Sequence, residues 1–559
     1  MTRIAIFAFA LFITNISLSS TFVKTAGTKP FPVLQEPDKE KDNITMNMAR
    51  AWIRFQDEDY YGALRIYRDL YEASPDNALL NYKMGECYVM VKEMKEAISH
   101  LKKVEDTDSL AHKDLFLLLG KAYQYEEQLD EAIDAYHKYK QQLKPKQLER
   151  HHVNELLRQC ITAKELMNNP VNVKIKNMGT NINSKYTDAS PSLSADGSTF
   201  IFTTRRPETK GGNIEPSNNE YYDDVFLSTW DDNSNSWSKA VNIPGSINTE
   251  GHDANTSISP DGKTIFLYKN IEGETKSGDI YTSIKKDDGS WAKPKPLDKN
   301  INSTYFESSA CITADGKTLY FVSERIKDGF GNGDIYSARK IGSIWSKPEN
   351  LGPVINTIND EIGVFIHPDG KTLFFSSNGH NNMGGHDIFM STIQDDGKWS
   401  EPLNLGYPIN TPKEEIHFIL TTNGQKAYLS SSRDNGMGKT DIYEIDMSKY
   451  FESKTDIDKD LASALSGPPL SILKGTVVDS RTSAPVEADI TIRNMSSNEK
   501  PVIISSNEKG EYFITLPAEE KYEITIEHKG YKPFSTKFKL PKGASETYTL
   551  VKHLVLNKK

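Results

Sequence analysis

The 559-residue chain is predicted to be multidomain: an all-α solenoid of helical hairpins, a five-bladed β-propeller, then a small β-sandwich. Three patterns predict this. One unit is written five times between residues 171 and 450. Glycine and alanine recur every 34 or 35 residues between 43 and 168. Residues 471–552 alternate apolar and polar in short runs.

The central repeat carries four markers. Asp196-Gly197, Asp261-Gly262, Asp315-Gly316, Asp369-Gly370 and Asn423-Gly424 recur in steps of 65, 54, 54 and 54 residues. Trp237, Trp291, Trp345 and Trp399 are 54 apart. Ile-Asn recurs at Asn183, Asn248, Asn302, Asn356 and Asn410, and an aspartate enters a strand at Asp224, Asp279, Asp334, Asp387 and Asp441. In the third copy, "SSACITADGKTLYFVSE" reads as strand, tight turn, strand, with the Asp-Gly pair supplying positive φ. "GDIYSARK" is a third strand and "WSKPENLG" a short, Trp- and Pro-containing edge strand. Four antiparallel strands per roughly 50 residues is a propeller blade. The fifth copy lacks its fourth strand, and "VNVKIKNMGTNIN" (171–183) supplies it, so the two ends of the ring join and no sheet edge stays open. The longer first step comes from "RRPETKGGNIEPSNNE", read as a polar loop projecting from one face.

Residues 43–168 repeat Ala63, Ala97 and Ala132, each followed four positions later by a bulky residue: Tyr67, Leu101, Tyr136. Gly85 and Gly120 are each followed three positions later by a tyrosine, Tyr88 or Tyr123, and Pro75 closes the first copy. This is the tetratricopeptide pattern, with small residues where backbones pack closely. "LERHHVNELLRQCITAKELM" is expected to be one capping helix. Residues 1–20 read as a secretion signal: Arg3, an apolar run too short to span a bilayer, and a small-x-small site at Ser17-Leu18-Ser19. Residues 451–470 read as a linker, and 471–552 as seven short strands. Cys87, Cys160 and Cys311 form no staple set; buried thiols are the better reading, with a Cys87–Cys160 bridge the alternative.

A net charge of −10 argues against a nucleic-acid groove. No Gly-x-Ser-x-Gly elbow, His-Glu-x-x-His, phosphate loop or Cys-x-x-Cys occurs, so no nucleophile–base pair, cofactor or metal set is expected. "DGFGNGD" and "NGHNNMGGHD" look like cation loops, but turn chemistry explains them; His380 and His386 could ligate a metal, but as two exposed loop histidines they have no third ligand. One constellation remains. Asp188, Asp253, Glu307, Glu361 and Glu415 each precede their turn by eight residues. On innermost strands they would ring one channel mouth, where a Lys/Arg-bearing peptide or a cation would neutralise them. The alternative is that each acid accepts backbone N–H bonds and is structural.

The order of parts resembles the PorE-like proteins of Bacteroidota. "SPDGKTIFLYKN" and "HPDGKTLFFSSNGHNNMGGHDIF" are similar to the TolB-like (PD40, WD40-like) propeller repeats, and "KGTVVDSRTSAPV" with "GEYFITLPAEEKYEITIEHKGYKP" to carboxypeptidase-regulatory-like domains. The resemblance implies a non-enzymatic periplasmic adaptor, outer-membrane associated, with envelope proteins of type IX secretion or gliding as partners. The family's peptidoglycan-binding OmpA-like domain would begin where this chain ends, so peptidoglycan association is expected only indirectly. A carbohydrate- or peptidoglycan-recognition protein is the alternative.

Overall fold

The computed structural model describes residues 44–108, 112–215, 219–271, 278–450, 469–497, 499–541, 543 and 547–559. The signal segment 1–20 and linker residues 451–468 lie outside the described residues. Two compact units are present: one holds the helices as far as Cys160 together with residues 214–220, the other the β-rich remainder from Ile161.

The helical unit contains three antiparallel hairpins: Ile44–Gln56 with Tyr60–Ala73, Ala78–Met90 with Met94–Asp108, and Leu115–Tyr125 with Leu129–Gln142. Each hairpin turns through a left-handed residue, Glu58, Lys92 or Glu127. The periodic glycines are there because nothing larger fits. A Cβ on Gly85 would lie 2.5 Å from Leu101 Cγ, and one on Gly120 2.4 Å from Tyr136 Cε1. The expected single capping helix is broken in two, Pro145–Arg150 and Val153–Asn168, at the left-handed His152.

In the β-rich unit five sheets follow one another around a ring. Their inner strands are Asp188–Leu193, Asp253–Ile258, Glu307–Ile312, Glu361–Ile366 and Glu415–Leu420, and each contacts the next, the fifth returning to the first. The middle strands pair antiparallel, for example Thr318–Ser323 with Asp334–Ile341. The fifth sheet takes its outer strand from before the first: Lys174–Asn177 pairs antiparallel with Asp441–Asp446. The other outer strands are only two residues long, such as Glu349–Asn350. The tryptophans do not sit on these outer strands, as expected, but in the hairpin before them. Trp237 and Trp345 lie on two-residue strands that pair back antiparallel on the end of the third strand, and they pack inward, 8% and 7% exposed.

Only the glycine of each Asp-Gly turn takes positive φ (69–74°); the residue before it does not. The aspartate instead staples the loop. Asp196 Oδ1 accepts the Ser198 N–H (3.1 Å) and the Ser194 hydroxyl (2.7 Å). The long first-sheet loop also differs from expectation at its start. Arg205 and Arg206 are buried, Arg205 making a two-pronged bond to Asp223 at 2.7 and 2.9 Å. All three cysteines are buried, unbridged thiols.

The C-terminal sandwich has eight strands in two four-stranded sheets, one more than expected. Its first strand, Leu470–Asp479, starts inside the expected linker. The expected last strand is two, Thr549–Val551 and Leu554–Leu556, both parallel to the first. The sandwich docks on the Asp-Gly turns of four sheets: Lys474 on Asp196 (3.8 Å), Glu511 on Lys263 (2.5 Å), the Ile503 carbonyl on Lys317 (2.6 Å), and Glu499 on Lys371 (3.3 Å). Between them the buried Thr515 hydroxyl donates to the Pro368 carbonyl.

The Ile-Asn marker is the clamp between consecutive sheets. Asn248 Oδ1 accepts the Val225 N–H and its Nδ2 donates to the Val225 carbonyl, both at 2.9 Å. Asn302, Asn356 and Asn410 do the same to Ile280, Ile335 and Ile388. Asn183 closes the ring by gripping Ile442 at 3.0 and 2.8 Å. Asn183→Ala leaves a buried N–H and C=O unpaired, and should lower stability by about 2–4 kcal/mol. Five of the six tryptophans lie in the ring, so fluorescence-monitored urea unfolding reads this directly. An unchanged midpoint would refute the clamp.

Candidate functional site

The five acids open the five inner strands, at the end opposite the Asp-Gly turns. All are 0–1% exposed. The repeat positions each against a Ser or Thr four residues earlier. Thr357 donates its N–H and hydroxyl to Glu361, each at 2.8 Å. Ser303 serves Glu307 (2.9 and 2.5 Å), and Thr411 serves Glu415 (2.8 and 3.0 Å). Ser184 and Thr249 serve Asp188 and Asp253. A hydroxyl on the second strand adds a third bond: Ser323, Ser377 and Ser431 donate to Glu307, Glu361 and Glu415 at 2.7–2.8 Å.

A buried carboxylate with only neutral donors is costly, and four of the five have a cation as well. Arg206 meets Asp188 at 2.5 Å, Arg325 meets Glu307 at 3.5 Å, Arg433 meets Glu415 at 3.3 Å, and Lys269 meets Asp253. Each cation also donates to a carbonyl of the connection behind the acid: Ile182, Ile301, Ile409 or Ile247. Glu361 is the exception. Gly379 stands at the repeat position of Arg206, Arg325 and Arg433, and a Cβ there would lie 1.9 Å from Thr357 Oγ1.

Each ring acid also faces a second carboxyl, the aspartate that enters the third strand of the preceding sheet. Asp224 faces Asp253, Asp279 faces Glu307, Asp334 faces Glu361, Asp387 faces Glu415, and Asp441 faces Asp188, each pair repelling. Burial raises Asp188, Glu307 and Glu415, opposed by their arginines. It lifts Asp224 to about 7 and Asp279 to about 6. Burial also lifts Glu361 from an ordinary 4.5 to about 7, against the pull of the Thr357 N–H and two hydroxyls.

The loops that resemble cation sites wrap these aspartates with backbone amides. Phe330 N–H donates to Asp334 at 2.6 Å and Met383 N–H to Asp387 at 3.1 Å. The two loop histidines are not exposed as expected. His386 is 1% exposed, with Nδ1 2.9 Å from Glu414, and His380 Nε2 donates to the Ile355 carbonyl at 2.8 Å. Among the described residues no group of three or more His, Cys, Asp or Glu is arranged to hold a metal ion. At the opposite end of the inner strands a cavity is lined by one apolar residue from each, Leu193, Ile258, Ile312, Ile366 and Leu420, together with Ser194, Ser257, Thr421 and other residues. The sequence reading missed the cation partners and the turn-face docking of the sandwich. The first had a signal in the periodic arginines; the second had none.

Residues 54–110 match the tetratricopeptide repeat family model, and residues 472–552 the carboxypeptidase regulatory-like domain. No curated protein matches the chain. Among solved structures it is similar to TolB from Acinetobacter baumannii: 15% identity, 48% of this chain, 57% of that one, TM-score 0.28. The chain thus spans little more than half of that structure. It is also similar to an α-L-arabinofuranosidase from Lactobacillus brevis (14%, 47% and 92%, 0.28). A third is a xylan β-1,4-xylosidase from Bacillus halodurans C-125 (13%, 64% and 91%, 0.30). No helix among the described residues is long and apolar enough to cross a membrane.

Glu361 makes a pH-dependent contribution of defined sign. The folded state holds its proton more tightly than the unfolded chain, so stability falls as pH rises from 4.5 to about 7. Glu361→Gln removes that fall. The variant should gain about 1–3 kcal/mol over the parent above neutrality and nothing below about pH 4.5. Melting curves of both proteins across this range check it; a pH-independent difference would refute it.

Proposed function

We propose that the protein is a non-enzymatic scaffold that binds protein partners in the cell envelope, with the ring of sheets a five-bladed β-propeller. The observation that carries this is the helical unit: three hairpins with tetratricopeptide packing, matching that family over 54–110. Such stacks present concave surfaces to peptides and partner helices. The chemistry of the ring supports it. The five acids are engaged by hydroxyls, amides and, in four cases, cations of the same chain, as befits pins between blades rather than reacting groups. The domain order supports a periplasmic, outer-membrane-associated place, and a link to type IX secretion or gliding machinery.

Crosslinking the full chain in native envelopes, followed by affinity capture, tests the reading. Envelope proteins of one complex are expected in the capture. Recovery of cytoplasmic proteins alone, or turnover in a hydrolase screen of the purified chain, would overturn it.

A further inference from the structure

Each of the five seams around the ring contains a ring acid and the third-strand aspartate of the preceding sheet. Four contain a cation as well; the seam between the third and fourth sheets contains none among the described residues. Instead it holds two further carboxyls near its outer end. Glu324 lies opposite Gly333, since Ser323 pairs with Asp334 in register. The Gly333 N–H donates to Asp360 Oδ1 at 3.2 Å, so Glu324 and Asp360 flank the same residue. The Glu324 N–H donates to the Phe306 carbonyl at 3.0 Å, while its carboxylate takes no hydrogen bond or ion pair from the described residues. Arg325 beside it is turned to Glu307 and the Ile301 carbonyl.

Apolar side chains rim this seam at unusual exposure. Ile326 is 77%, Ile358 72% and Phe330 47% exposed. The segments of Phe330 and Ile358 are neighbours, and Ile326 lies on the same loop as Phe330: a Cβ on Gly331 would lie 2.1 Å from the Asn359 carbonyl oxygen and 2.9 Å from the Ile358 carbonyl carbon, and Asn332 N–H donates to the Asn359 carbonyl at 3.1 Å. Lys327 and Asp328 lie on the same loop, both exposed. The sandwich occupies the turn face, so the uncovered apolar rim and the unbalanced carboxyls lie at the opposite end of the sheets.

We propose that this seam is a docking surface for a protein segment presenting a lysine or arginine between apolar side chains. The incoming cation meets Glu324 and Asp360 and supplies the charge that Gly379 cannot. The apolar neighbours cover Ile326, Phe330 and Ile358. This deepens the scaffold reading and rests on it. Glu324 supports the assignment: burial, then Asp360 and Glu307, push it up to about 7, which marks a carboxyl short of positive charge. Charge complementarity sets the partner's register, and the apolar contacts supply most of the affinity.

The test uses the full chain and fluorescein-labelled octapeptides. One alternates leucine with lysine or arginine, a second replaces the basic residues with glutamate, and a third replaces leucine with serine. Only the first should bind, more weakly at high salt. Glu324→Gln with Asp360→Asn should weaken it about tenfold or more, and Ile358→Ser about threefold. Asp232→Asn with Asp395→Asn, the same charge change at exposed sites, should leave it unchanged. Equal binding by the seam variant and the parent overturns the proposal. So does equal binding of the serine peptide, or calorimetric binding of Ca²⁺ without peptide binding. If the double variant fails to fold, Ile358→Ser decides. An envelope capture unaffected by the seam variants removes this surface and leaves the scaffold reading standing; a capture without envelope proteins removes the scaffold reading itself.

Discussion

Five sheets of three working strands and an outer strand of only two to four residues have little with which to hold their neighbours. The buried asparagine at each connection supplies the missing specificity, because one carboxamide satisfies both the N–H and the C=O of a single residue. Asparagine is the smallest side chain offering a donor and an acceptor side by side. The chain leaving one sheet is thereby fixed before it starts the next. At Asn183 the same bond joins segments more than 250 residues apart, so the ring is closed by backbone pairing of Lys174–Asn177 and by this clamp together.

The acids follow from the same constraint. A connection that returns to the inner strand turns back on itself and leaves amide and hydroxyl groups pointing inward. An acid at the first residue of the inner strand collects them, and a cation at or just past the end of the second strand balances it while tying down a carbonyl of the connection. Each seam therefore contains two carboxyls in a setting of low dielectric, and burial dominates their titration. Where glycine replaces the cation, close approach of Thr357 forbids any side chain, and the seam keeps an excess of negative charge reaching toward its surface.

The helical unit and the sandwich show two ways in which periodicity reads packing. Gly85 and Gly120 were legible as close approaches, because only steric exclusion makes a glycine recur at that spacing in a helix. The break at His152 was not, since no proline or glycine marks it and a left-handed residue carries no compositional signal. Alternation located the sandwich strands well, but could not separate Thr549–Val551 from Leu554–Leu556, where an unpatterned Lys-His step lets one run pair twice with the same strand.

The sequence by itself determined what repeats: the five units, the strand borrowed from before the first, the hairpin turns and the positions of the five acids. Those features are local or periodic, and a period is visible along a line. Only the tertiary structure decided what each acid faces, that Arg206, Arg325 and Arg433 turn inward to balance them, and that the sandwich covers the turn end and not the other. These depend on groups brought together from different copies, and burial, which sets their charge state, is a property of the closed ring and of no single repeat.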